Sequence, residues 1–149
     1  STLFPYTTLF RSRWYVRSWS REHNDFRDYN LNRIGKVIDQ RPVSVDAALD
    51  FEWVHKINLV MVPNPGLSAE RQAAVAAEHG MTDGRLVRPC RLSLSFYLMN
   101  EYDLDVEPGV LKPEKQQIIL RNRDEVTQAR VLARQMSIEA LARARGSAQ

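Results

Sequence analysis

The chain has 149 residues, room for one domain or two small ones around a modest core, and its 44% apolar, 26% charged composition is ordinary for a soluble globular protein. A formal net charge of +3 and a pI of about 9.2 bias it mildly toward anionic partners. Cys90 is the only cysteine, which excludes an intrachain disulfide and a thiolate metal cluster. No apolar run approaches the ~20 residues of a membrane span, so no membrane partner is expected and a reducing, cytoplasmic setting is.

In chain order, STLFPYTTLFRS (1–12) has neither a helical period nor clean alternation, and it lacks the basic, apolar and small-residue regions of a signal peptide. It resembles translated adapter or vector read-through. Residues 1–12 are therefore expected to be non-native, and the natural protein to be longer at this end. Residues 13–21 alternate: Trp14, Val16, Ser18 and Ser20 on one side, Arg13, Tyr15, Arg17, Trp19 and Arg21 on the other. Glu22, His23, Asn24 and Asp25 form a polar turn. A second strand is expected over 26–34, with Arg27, Tyr29, Leu31 and Arg33 on one side, followed by a short strand at Val37–Ile38. The result is an antiparallel meander.

Residues 42–49 are a polar connector or a single helical turn, and Phe51 and Trp53 anchor the chain before the next strand. INLVMV (57–62) is continuously apolar, as in a strand covered on both faces, and ends at the breaker PNPG. Ser68 can cap a helix bearing Glu70 in its first turn, and Gly80 can end it. A strand over 85–90, a helix over 92–102, a loop marked by Pro108, Gly109 and Pro113, and a strand over 117–120 follow. Residues 54–121 thus read strand–helix–strand–helix–strand, a small sheet with two helices on one face. An Ala- and Arg-rich helix over 124–145 carries a thin apolar stripe, Val131, Leu132, Met136 and Leu141, and is either a docking helix or a frayed tail.

Enzymatic chemistry finds no foothold. GxxxxGK[ST], GxGxxG, HExxH, CxxC and GxSxG are all missing, and His23, His55 and His79 lie far apart. Asp25 and Asp28 are better explained by ion pairing than by acid–base work. No enzyme, metal or cofactor is expected. What remains is the arginine–aromatic hairpin. Guanidinium forks pair with phosphate, and rings stack on bases at roughly 1–3 kcal/mol per base. The same composition also suits a solvated strand face on which arginine stems cover Tyr and Trp.

Trp14-Tyr15-Val16 followed by FRDYNLNRI (26–34) resembles the core of a WYL domain, whose pattern is Trp-Tyr-Leu, a turn, then Arg-aromatic-x-Leu-x-Arg-Ile. WYVRSW…DFRDYNLNRI is similar to the WYL regulators of bacterial phage-defence islands, the BREX- and CBASS-associated repressors. Glu52-Trp53, LVMVPNPGLSAERQ, EHGMTDG, VRPCRLSLSFYL and LRNRDEV are similar to their C-terminal extension, so the resemblance covers about residues 13–126. Val16 departs from the third-position Leu, and Asn30 and Asn32 make the second strand unusually polar.

The resemblance implies an α+β chain: part of a WYL domain with Sm-like barrel strands (13–41), a connector (42–53), the C-terminal extension as a small α+β sandwich (54–123) and a helical tail (124–149). It implies a ligand-sensing and dimerising part of a transcriptional regulator, a homodimer that reaches operator DNA through a winged helix absent here. The ligand would be a nucleotide or nucleic acid held by Tyr15, Arg17, Arg27 and Arg33, with Ser18, Trp19, Arg21 and His23 near the turn. Trp14 and Leu31 would pack the barrel, whose earlier strands are absent, leaving an unpaired edge. Arg88 and Arg91 would pair with surface carboxylates or line a basic groove. The alternative is an Sm-like nucleic-acid-binding module accessory to a helicase or nuclease.

Overall fold

The computed structural model describes residues 6–10, 13–39 and 45–147. Residues 1–5, 11 and 12 of the segment expected to be non-native, and residues 42–44 of the connector, lie outside the described residues. The chain divides into two compact units: residues up to Phe51 together with those from Arg134 onward, and Glu52–Ala133. The class is α+β, with two antiparallel three-stranded sheets. The first is open rather than a closed barrel.

The first unit holds β1 (Tyr6–Phe10), β2 (Arg13–Ser20) and β3 (Asp25–Asn30), in that spatial order. The expected hairpin is present, with its turn at Arg21–Asn24 and Asn24 at φ 49°. Four expectations fail. Tyr6–Phe10, set aside as non-native, pairs along β2 from Tyr6 against Arg17 to Phe10 against Arg13, so the β2 edge expected to stay unpaired is paired. The second strand ends at Asn30 rather than Ile34. The Asn30 side chain accepts from the Asn32 backbone N–H at 3.0 Å and starts a 3-10 turn, Leu31–Arg33, diverting the chain from the ladder. Val37–Ile38 is not a strand, and both side chains are exposed. Trp14 (48% exposed) and Leu31 (37%) do not pack a core.

The second unit contains α1 (Phe51–Val54, shared with the first unit at Phe51), β4 (Lys56–Pro63), α2 (Ala69–Glu78), β5 (Leu86–Arg91), α3 (Leu92–Glu101) and β6 (Ile118–Leu120), with spatial order β5-β4-β6. This is the expected strand–helix–strand–helix–strand sheet. Its local signals behave as read. Ser68 Oγ accepts from Arg71 N–H at 3.2 Å. At the other end of α2, Gly80 (φ 61°) donates to the Ala77 carbonyl and Met81 N–H to that of Ala76, the paired bonds of a Schellman stop. Met81 then packs on the core. Gly66 has no room for a side chain, since a Cβ there would stand 2.6 Å from Pro113 Cγ.

Pleating sends Ile57, Leu59 and Met61 to one face of β4. There they meet Val75 of α2, Leu98 and Met99 of α3, Leu104, Ile118, Leu120 and Cys90. The last helix, α4 (Arg123–Ser147), begins in this unit and ends in the first. Its buried residues are Val126, Ala133, Ser137 and Leu141, a single face at intervals of seven, four and four. The stripe read from large side chains holds in part: Leu141 is buried and Met136 half-buried, but Val131 and Leu132 are 66% and 61% exposed. No described helix is long and apolar enough to cross a membrane.

Leu59 has no exposed surface. Leu59→Ala is expected to cost about 2–5 kcal/mol in urea unfolding, the range for a leucine truncated in a packed core. Burial raises the Cys90 thiol above its ordinary value of 9.0. The native thiol therefore stays protonated where an unfolded one ionises, and stability falls as pH rises past that value. Cys90 should label with a chromogenic disulfide far more slowly in native protein than in urea.

Candidate functional site

The register of the first sheet decides which arginines can act together. The four-residue turn closes Ser20 onto Asp25, so odd-numbered residues of β2 share a face with even-numbered residues of β3: Trp19 with Phe26, Arg17 with Asp28, Tyr15 with Asn30. Arg27 is opposite Ser18 and Tyr29 opposite Val16, on the other face. The expected constellation of Tyr15, Arg17, Arg27 and Arg33 is therefore not assembled on one surface.

Arg17 is turned to structural use. It is 8% exposed and forks onto Asp50, 4% exposed, with Nε–Oδ2 2.6 Å and Nη2–Oδ1 2.8 Å. Its Nη1 lies 3.4 Å from Asp28 Oδ1. Asp50 sits just after a 3-10 turn, Ala47–Leu49, which Asp46 begins by accepting from Ala48 N–H. The next residue, Phe51, donates its backbone N–H to Ser137 Oγ of α4 at 2.9 Å. Sequence inspection missed Asp50. It lies 33 positions from Arg17, beyond any helical or strand spacing. Asp25 ion-pairs with Arg134 at 2.9 Å, so both hairpin carboxylates are in ion pairs, as expected, though neither uses Arg27.

The turn residues also serve the fold. Ser20 Oγ contacts His23 Nδ1 at 3.0 Å and accepts from the His23 backbone N–H. Trp19 packs edge-on against Phe26 with centroids 5.2 Å apart. Ser18 Oγ reaches only the Trp19 carbonyl, at 3.5 Å, and Arg21 and Arg27 are exposed.

Two of the expected residues do meet. Tyr15 and Arg33 line an open cavity of about 320 Å³ with Arg13, Asp28, Tyr29 and Asn30. Arg13 and Arg33 are exposed, Tyr15 shares a face with Arg13, and Tyr29 borders the cavity from a register position on the opposite face. Two guanidinium groups and a tyrosine around one opening suit a flat or phosphorylated anion. Asp28 is the opposing charge in the wall. Arg13 and Tyr29 were in sight on the hairpin, but only the 3-10 turn that swings Arg33 back over the end of β3 could bring them together.

In the second unit no carboxylate pairs with Arg91 among the described residues. Its Nη1 donates to the Trp53 carbonyl at 2.8 Å, and its guanidinium lies 4.5 Å from the Trp53 ring centroid. Trp53 thus anchors the chain, as expected. No group of three or more metal-ligating side chains occurs among the described residues.

Residues 56–126, from β4 to the first turn of α4, match the family of the BrxR transcriptional regulator C-terminal dimerization domain. The chain is also similar to proteins named DNA-binding transcriptional repressor CapW. It is 32% identical to that of Pseudomonas aeruginosa over 117 residues (77% of this chain, 38% of the relative). With the Stenotrophomonas maltophilia protein it shares 30% over 119 residues (78% and 39%), and with that of Escherichia coli strain KTE188 29% over 126 residues (84% and 42%). The chain thus spans about two fifths of the length of the curated relatives it matches. An alignment of 126 residues exceeds the BrxR-like segment, so the likeness to CapW extends beyond it.

Asp50→Ala strands a buried guanidinium, and the expected loss is about 3–5 kcal/mol by chemical unfolding. Replacing both partners, Arg17→Met with Asp50→Leu, should recover most of it, since neither charge is then left alone. Equal losses in the single and double variants would show that the pair does not hold the unit together.

Proposed function

We propose that this chain is the effector-sensing and self-associating part of a transcriptional regulator of the bacterial phage-defence type. In the whole protein it would act as a homodimer on operator DNA. The observation that carries this is the match of residues 56–126 to the BrxR C-terminal dimerization domain, with likeness to CapW repressors running beyond it. The second unit is then the part that associates, and the first unit carries the sensor.

The effector we propose is a nucleotide or a short single-stranded nucleic acid, held in the cavity of Arg13, Tyr15, Tyr29 and Arg33. The arginines would fork onto phosphate and the rings would lie against a base. Arg17 contributes indirectly: its carboxylate partner Asp28 is also part of the cavity wall. An anion that binds one dimer geometry better than another shifts the population toward it, and operator affinity changes by the same coupling free energy.

Short single-stranded DNA, RNA and mononucleotides, titrated against the chain with tryptophan fluorescence at two salt concentrations, test the site. Affinity should fall with salt, as for any phosphate contact. Arg33→Ala should weaken binding roughly tenfold or more, the worth of one charge-assisted hydrogen bond. Asp28→Asn should strengthen it by removing a like charge. Binding indifferent to both substitutions would place the anion elsewhere.

A further inference from the structure

The outward phase of β4 is apolar where solvation alone would make it polar. Lys56, Asn58, Val60 and Val62 point away from the core that Ile57, Leu59 and Met61 enter. Across the ladder, Val87 stands opposite Val60 and Ile119 opposite Val62, with Pro89 opposite Asn58 and Arg91 opposite Lys56. An antiparallel sheet with one wet face alternates apolar-in with polar-out. Here four β-branched side chains form one block on the outward face. Val87 is 40% exposed, and Val60, Val62 and Ile119 are partly so. All four lie within residues 56–126, whereas the exposed Val131 and Leu132 of α4 lie outside.

The charges around this block are unevenly divided. Lys56 and Arg91 occupy one end. At the other end Val62 and Ile119 border a cleft of about 760 Å³ whose rim includes Glu107, Asp124 and Glu125. Arg123 pairs with Glu107 and donates to the carbonyls of Leu104 and Asp105, which leaves Asp124 and Glu125 against Arg121 and makes this end mildly acidic. A two-fold axis through the Val60–Val87 pair lays the basic end of one copy over the acidic end of the other, the self-complementarity of an isologous contact.

The free edge of this sheet is less suited to pairing. β5 carries Pro89, which has no N–H, and Arg88, an exposed charge opposite Leu59 on the core-facing phase. The face is three strands wide and, along β4, eight residues long. At ~4.8 Å per strand and ~3.3 Å per residue it offers roughly 400 Å² in projection, about half of what each partner gives to a standard interface. It suffices for the apolar centre of a dimer whose charged ends form the rim.

We infer that the outer face of the β5–β4–β6 sheet seats a second copy of this chain, related by a two-fold axis near Val60 and Val87. The inference rests on the proposal that residues 56–126 self-associate, and it names the surface they use. The test is light scattering over a concentration series of the whole chain, with circular dichroism to confirm folding. Val87→Lys should weaken association roughly tenfold or more, as for a central contact. Lys56→Glu should weaken it too, and Lys56→Glu combined with Glu125→Lys should restore it, a rescue that a merely misfolded variant cannot give. Val131→Glu should leave it unchanged. A parent dimer indifferent to Val87→Lys and Lys56→Glu, or dissociated by Val131→Glu alone, overturns this face while leaving self-association standing. A parent that stays monomeric throughout overturns both.

Discussion

A guanidinium in the middle of a buried strand must be paired where it lies. Arg17 sits near the centre of β2 and Asp50 at the end of the following 3-10 turn, and both are almost fully buried. Their two short bonds recover electrostatic energy lost on leaving water, and only a fixed fork geometry makes that recovery adequate. The pair therefore pins the connector to the sheet. It also holds Arg17 on the face shared with Trp19 and, across the ladder, Phe26, while Val16 and Ser20 are buried on the other face. With that centre closed, the open end of the Arg17 face lies at Arg13 and Tyr15. Arg33 joins them because Asn30 ends β3 early.

The second unit obeys a different constraint. Its central strand is apolar on both phases, so one face makes the core and the other is left with Val60 and Val62. Packing of α2 and α3 satisfies the first face, and the block of three valines and one isoleucine on the second has no counterpart in a sheet built only for water. Most of the residue types here are explained by the core alone. Strand propensity favours the outward valines, but a face turned to water would ordinarily alternate them with polar residues.

Where structure is set by short-range rules, the residues could be read directly. Ser68, Gly80 and Met81 bracket α2 through bonds that span at most five residues, and PNPG ends β4. The apolar residues of 57–62 marked a strand, but the expectation that both its faces are covered fails, because the core takes Ile57, Leu59 and Met61 while Asn58 is exposed and Val60 and Val62 are partly so. The candidate site was less legible because it depends on register. A period of two tells which residues of one strand share a face, but not which face of the next strand they join. That is set by turn length, and here it separates Arg27 from Tyr15 and Arg17. Arg17 itself was misjudged because its partner is 33 residues away. In α4 large side chains drew attention to Val131 and Leu132, whereas the buried face is built from Val126, Ala133, Ser137 and Leu141. Small residues mark close packing, and hydrophobicity alone does not weigh them.

The arginines of the hairpin thus sort by what the fold leaves them. Arg17 is spent on Asp50, so its charge is neutralised inside the unit. Arg13 and Arg33 remain exposed beside Tyr15, with the carboxylate of Asp28 in the same wall. That carboxylate is also within 3.4 Å of Arg17. An anion entering the cavity would be repelled by Asp28 and attracted by its two arginine neighbours, and any movement of Asp28 away from the anion would alter the charge around Arg17. In this sheet Asp28 lines the cavity and also contacts Arg17, whose buried partner is Asp50.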